Sequence, residues 1–405
     1  MNVLLVSPTV CLGGAERAVI YLAHYLKQKG HQVDIFTTYL DFTNVPEEAK
    51  NLDYINPNIK ILKRIEGRFA LINNPFLFFI RLLKLRKKIK RLISDKKINV
   101  IHAHNPPGHW MSVFHRIPLL WSANDPITTF KPYEGGTFSL NSKKRASFLK
   151  EIGIPLYKLI DTIIVKTGVD KIIVLDERGQ KRIRDYYNRN SQIVRLGINF
   201  NFFSKNLQDI NDKYLKRIKN EFIIIQVGQL TYSKNQLCTV KAFQIVKSQI
   251  NHAKLILVGD GPLREEILAE IKKLNLQDSV ELTGHTSEEN LRTLYQKSHI
   301  CSFPAIKQTY GLTPFEALAA NTISVVSSDC GTSEVIEQEK IGFVSDPTPK
   351  DFAEKMIYIY NNPQITIDTI IKGHEYVKKN LSYETYCQEV ENILKNLITQ
   401  KSSLS

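Results

Sequence analysis

The sequence predicts an α/β protein made of two doubly wound parallel sheets, each wrapped by helices. Three observations carry that prediction. Apolar runs of strand length alternate with segments whose apolar residues recur at helical spacing. The alternation starts afresh near the middle of the 405-residue chain. Turns containing glycine follow most of the strand runs directly. At about 100–200 residues per domain the length allows two or three domains, and two rounds of the pattern select two.

The elements follow in order. Residues 2–7 (NVLLVS) are a buried-strand run, and residues 15–29 carry a helical apolar face. Further strands fall at 32–37, 100–103 and 118–123, with a long basic helix at 75–94. Strands separated by helices of this length need crossover connections, so the sheet is mostly parallel. The pattern restarts at 221–227 (EFIIIQV), followed by a helix at 237–247. A strand at 253–258 (AKLILV), a helix at 263–274, and strands at 280–283, 300–303 and 323–327 complete it. The polar stretch 201–220 reads as the bridge between the sheets, and an amphipathic helix at 383–398 closes the chain. The expected division is 1–200, then 201–380, with 381–405 a helix packing back towards the first domain. Open parallel sheets bind ligands beyond the carboxyl ends of their strands, so a cleft between the two domains is the expected site.

Composition narrows the class. Residues 1–200 hold 32 Lys and Arg against 16 Asp and Glu, whereas residues 201–405 hold 23 against 24. All the excess positive charge lies in the first half, which implies an anionic partner for that half. The five cysteines are scattered and form no C-x-x-C pair, which argues against a disulfide framework or a structural zinc site and fits a reducing cytoplasm. No apolar run reaches the ~18 residues that span a bilayer. The opening residues lack the charged start and long apolar stretch of a signal peptide.

Two groups of turns carry chemistry. The first strand leads into Gly13-Gly14 at the start of a helix. Backbone N–H groups there can approach a phosphate, or the pair simply makes a strand-to-helix turn. It is not the G-x-G-x-x-G fingerprint of a nicotinamide enzyme. In the second half, strand ends run into Gly228-Gln229 with Lys234, Gly259-Asp260-Gly261, Gly284-His285, Gln308 to Glu316, and Gly331 to Glu334. All should converge on one sheet edge. Backbone amides, one Lys for a diphosphate and one carboxylate for ribose hydroxyls are what a nucleotide pocket needs.

These residues, with Gly13-Gly14-Ala15-Glu16-Arg17 and Gly197-Ile198-Asn199, resemble glycosyltransferase family 4 over nearly the whole chain. The resemblance implies the GT-B architecture, two facing Rossmann-like domains with a cleft between them. It implies transfer of a hexose-type sugar from a nucleoside diphosphate sugar to an acceptor, a lipid-linked or surface glycan, with retention and without a metal or other cofactor. Lys234 would offset the charge growing on the departing diphosphate. Glu316 would accept hydrogen bonds from the ribose. The amides of Gly311 and Leu312 would hold sugar and phosphates, and Gly284-His285 would border the base. Gly228, Gln229 and Gly259 would complete the donor side, with Gly13-Gly14 reaching across to the diphosphate. His104 and Asp125 would lie on the acceptor side. The family's usual Arg upstream of the Lys falls on Gln229, the first of its two spaced glutamates on Gln308, and its N-domain His on Asn124. None of these three ionises, and Gln229 removes a bidentate phosphate partner. A subfamily with altered donor contacts is the preferred account; a catalytically inactive relative that binds without transferring is the alternative.

The remaining features are assigned by weighing charge against context. His102 and His104 alternate on one strand without a carboxylate or Cys at ligand spacing, so no metal site is expected. His102 reads as a packed strand residue and His104 as standing at the cleft mouth. Residues 75–97 join an apolar stripe to nine Lys and Arg between 81 and 97. That helix either packs on the core with a solvated basic face or lies on an anionic membrane surface. The lipid-linked acceptors of similar enzymes favour the second, at the cytoplasmic leaflet. No nucleic-acid reader module is present, so nucleic acid is not an expected partner.

Overall fold

A computed structural model describes residues 1–11, 14–42, 47–65, 68–71, 75–113, 115–124, 154–208 and 210–403. The chain forms two compact units, Met1–Arg195 together with Tyr386–Ser405, and Leu196–Thr385. Each is a parallel sheet carrying helices, the α/β class that the alternating pattern predicts.

In the first unit the strands are β1 (Asn2–Val6), β2 (Thr9–Val10), β3 (Gln32–Phe36), β4 (Tyr39–Leu40), β5 (Tyr54–Ile55), β6 (Leu62–Ile65), β7 (Arg68–Leu71), β8 (Val100–His104), β9 (Leu119–Ser122), β10 (Lys171–Val174) and β11 (Gln192–Ile193). Seven of them make one sheet in the order β11-β10-β9-β8-β1-β3-β5, with every pair parallel. β2 and β4 pair as a separate two-stranded parallel sheet, and β6 and β7 form an antiparallel hairpin. One face is sealed by Leu4, Val6, Ile101, Ala103, Trp110 and Trp121, all buried in a single cluster.

The Pro75–Asp95 helix belongs to that cluster. Its Phe78, Leu82, Leu85 and Ile89 recur every three or four residues and are buried. Most of the apolar stripe read as membrane-facing is therefore spent on the core. What remains outward is Phe76 (75 % exposed), Leu83 (62 %) and the exposed Lys84, Lys87, Lys88, Lys90 and Arg91.

The second unit holds β12 (Phe222–Val227), β13 (Ala253–Val258), β14 (Val280–Gly284), β15 (Ile300–Phe303), β16 (Ile323–Ser327) and β17 (Phe343–Ser345), in the order β14-β13-β12-β15-β16-β17 and parallel throughout. The stretch expected as a bridge is not a linker. It forms the helices Phe200–Phe203 and Ile210–Asn220 inside this unit, because Phe203, Tyr214 and Ile218 give the polar segment a buried apolar face.

The last helix, Tyr383–Ser402, has its length from Tyr386 on in the first unit. Glu391 accepts from Tyr25 (3.2 Å) and His31 (2.8 Å), Glu389 from Gln192 (3.1 Å), and Lys401 pairs with Asp170 (2.9 Å).

Candidate functional site

Both sheets reverse their strand order at one point, and open α/β sheets place ligands at that reversal, beyond the carboxyl ends of the strands. In the second unit it lies between β12 and β15. The turn after β12 delivers Lys234, and the turn after β15 delivers Gln308. Lys234 Nζ donates to Gln308 Oε1 at 2.8 Å. An ammonium can only donate, so the amide must turn its oxygen to the lysine; its nitrogen then donates to the Tyr310 carbonyl (3.0 Å). The backbone of Gln308 is pinned as well, its carbonyl accepting from the Gly331 N–H at 3.1 Å. Beneath the ammonium lies the Phe303 ring, 5.3 Å away. Burial lowers the Lys234 pKa, and Cys330 and Glu316 nearby act in the opposite direction.

Glu316 stands in the first turn of the Thr313–Ala319 helix, 7 % exposed, and accepts from the Tyr295 hydroxyl at 3.0 Å. Its field reaches Lys234. A lysine and an amide are therefore bonded beyond one strand reversal, with a carboxylate near enough for its charge to act on the lysine.

The neighbouring turns are built for close backbone approach. Gly228 and Gly259 adopt φ of +147° and +126°, conformations open to glycine. A Cβ on Gly259 would lie 2.3 Å from the Gly228 carbonyl oxygen. The Gly259 N–H donates to the Gly284 carbonyl (2.8 Å), tying the turns after β13 and β14 together. Gln229 is exposed and its carbonyl accepts from the Gln236 amide (3.0 Å); His285 is exposed. The Gly311 N–H donates to Thr332 Oγ1 at 2.7 Å, and its carbonyl accepts from the same hydroxyl at 3.3 Å. Leu312 caps the Thr313–Ala319 helix and is half-buried.

In the first unit the reversal lies between β1 and β8. Gly14 opens the Gly14–Gln28 helix and is exposed; Gly13 and Asp125 lie outside the described residues. Asn124 is half-buried after β9, and its Nδ2 donates to Asn105 Oδ1 at 3.4 Å. His104 does not stand at an open edge. It is 1 % exposed, with its ring 4.0 Å from that of His102, because β8 is an interior strand buried along its whole length. Burial drives its imidazole down to about 3 and holds it neutral at neutral pH. His102 bonds Ser122 Oγ at 2.8 Å, as a packed strand residue does.

Two family models match the chain almost end to end. Residues 12–201 match the model described as Glycosyltransferase Family 4, and residues 208–379 the one described as Glycosyl transferases group 1. The chain belongs to glycosyltransferase family 4. An uncharacterized glycosyltransferase of Methanocaldococcus jannaschii is 27 % identical over 330 residues, covering 76 % of each chain. The alpha-monoglucosyldiacylglycerol synthase of Acholeplasma laidlawii is 23 % identical over 96 % of this chain and 95 % of its own. The Anabaena protein HepE, solved in complex with UDP-glucose, superposes with a TM-score of 0.73 at 15 % identity, covering 98 % of this chain and 100 % of its own. The fold is GT-B.

Sequence reasoning about this glycosyltransferase missed two residues. In the second unit Tyr295 bonds Glu316, and in the first unit Asn105, at φ +50°, accepts from Asn124. Only Asn105 carried a local signal, following a strand directly in an Asn-Pro turn. Among the described residues no group of three or more His, Cys, Asp or Glu is placed to hold a metal ion.

Proposed function

We propose that this glycosyltransferase moves a hexose-type sugar from a nucleoside diphosphate sugar to a lipid-linked or surface glycan, with retention and without a metal. The observation that carries the donor half is the Lys234–Gln308 hydrogen bond beyond the strand reversal, with the charge of Glu316 acting on Lys234. As the bond from the anomeric carbon to the diphosphate oxygen breaks, negative charge grows on the leaving group. Lys234 offsets that charge most strongly at the transition state. The acceptor hydroxyl bonds to the anomeric carbon on the face the diphosphate leaves, and its proton passes to the departing phosphate oxygen. Glu316 accepts from the ribose, and Gln308 offers its amide to a sugar hydroxyl without adding charge beside Lys234. Asn124, bonded to Asn105, holds an acceptor or donor hydroxyl. The UDP-glucose bound by HepE supports a nucleotide-sugar donor.

A lipid-linked acceptor is supported by the alpha-monoglucosyldiacylglycerol synthase relative and by the outward face of the Pro75–Asp95 helix. On that face Phe76 and Leu83 sit among five exposed cations, the mixture that binds an anionic membrane surface. No described helix is long and apolar enough to cross a membrane, so this reading is of peripheral contact, at the cytoplasmic leaflet.

Calorimetric titration with UDP, GDP and ADP, then a hydrolysis screen of the matching sugar donors, tests the proposal. Binding of one nucleotide with turnover of one donor is expected. Lys234→Ala is expected to cut turnover by about 10²-fold or more. Near-normal turnover in that variant removes the role given to Lys234, and binding without any turnover would mark a non-catalytic relative.

A further inference from the structure

We infer that Tyr295 is the positioning residue of the donor site, fixing the carboxylate of Glu316 for the ribose. This rests on the reading of Glu316 as the ribose acceptor and adds the group that makes it one. Tyr295 lies on the Glu288–Lys297 helix with 0 % exposure, and its hydroxyl donates to Glu316 Oε2 at 3.0 Å. Two other elements and the end of its own helix fix where that residue stands. The ring meets Phe203 edge-on with centroids 5.9 Å apart. The Tyr295 carbonyl accepts from Thr322 Oγ1 at 2.5 Å and from the Ser298 N–H at 2.9 Å. The phenol is thus held from the Phe200–Phe203 helix, from its own helix end and from the turn before β16.

A carboxylate this buried costs free energy unless donors meet it, and it otherwise takes up a proton. Once protonated it would lose acceptor capacity towards a diol. Tyr295 can play only one part in the pair: burial first, and the Glu316 charge second, raise its pKa well above the ordinary value, so the phenol stays a donor. A donor at a fixed point meets one oxygen of Glu316 and sets the plane of both. Ribose recognition needs that plane.

The test removes the hydroxyl alone. Tyr295→Phe and the wild-type chain are titrated with whichever of UDP, GDP and ADP binds, and with its 2′,3′-dideoxy form. Wild type is expected to prefer the ribose form by about ten- to a hundredfold, the worth of hydrogen bonds to a charged group. Tyr295→Phe is expected to lose most of that preference while still binding through the diphosphate. The preference is a ratio of two affinities within one protein, so a variant that is only partly folded changes the apparent stoichiometry and leaves the ratio intact. Full ribose preference in Tyr295→Phe overturns the inference and leaves the donor site standing. A wild-type chain that binds the nucleotide without preferring ribose, or binds none of the three, removes the role given to Glu316 and the inference with it.

Discussion

Asp161 illustrates how one residue organises a core. It lies in the Ile154–Gly168 helix and is completely buried. His109 Nε2 meets its Oδ1 at 2.7 Å, the Trp110 indole N–H donates to the same oxygen, and the Tyr187 hydroxyl donates to Oδ2. Burial pushes the carboxyl up, but the bond and charge of His109 and the bonds from Tyr187 and Trp110 outweigh it and hold the pKa below the ordinary value. Removing one partner from such a group leaves the others buried and unmatched. Asp161→Ala is expected to destabilise the first unit by about 3–5 kcal/mol, read as a lower denaturant midpoint. An unchanged midpoint would show that the cluster reorganises at no cost. Nothing in the local sequence announces this role, since Asp161 interrupts an apolar helix and its partners are 26 to 52 positions away.

At the scale of elements, the Tyr383–Ser402 helix joins the first unit through buried residues such as Val390 and Leu394 and through the carboxylate of Glu391. That carboxylate faces Tyr25 and His31, and Lys395 one turn along its own helix, and the Met1 ammonium lies 3.1 Å from His31 Nδ1. Burial raises the Glu391 pKa, but the bonds from His31, Lys395 and Tyr25 and the Lys395 charge bring it down from 4.5 to about 2. A pKa lower in the folded state contributes stability above the unfolded value, and that stability fades as pH falls through the folded value. The tie is therefore complete above about pH 4.5 and lost towards about pH 2. Melting temperatures of wild type and Glu391→Gln should differ at pH 6 and converge as the pH approaches 2. A difference independent of pH would assign the effect to packing rather than to charge.

For the molecule as a whole, the positive charge of the first half should act as a surface property. Replacing Lys87, Lys88, Lys90 and Arg91 by Gln removes four exposed cations, each worth about 1 kcal/mol near an anionic bilayer. Sedimentation with anionic liposomes should be lost in that variant, and raised salt should weaken it in wild type. Equal sedimentation of variant and wild type would return the helix to a purely core-packing role. The two sheets and the family were legible from the sequence because strand-ending glycines and helical spacing are local patterns. So was the set of Lys234, Gln308 and Glu316, each of which follows a strand. Tyr295, Asp161 and the burial of His104 were not legible, because long-range packing and pairing decide them. Nor was the place of residues 201–220, whose polar surface hides Phe203 and Tyr214.

The return of the chain to its first unit bears on how the protein is made. A ribosome releases residues from the amino end, and domains usually fold in that order. Here Leu196–Thr385 is continuous, whereas the first unit is finished by Tyr386–Ser405. During synthesis the second unit is the one able to close first. The earlier unit waits, with the partners of Glu391 and Lys401 exposed, until Tyr386–Ser405 leaves the exit tunnel. A stop codon placed before Tyr386 would thus damage the half of the protein that was translated earliest.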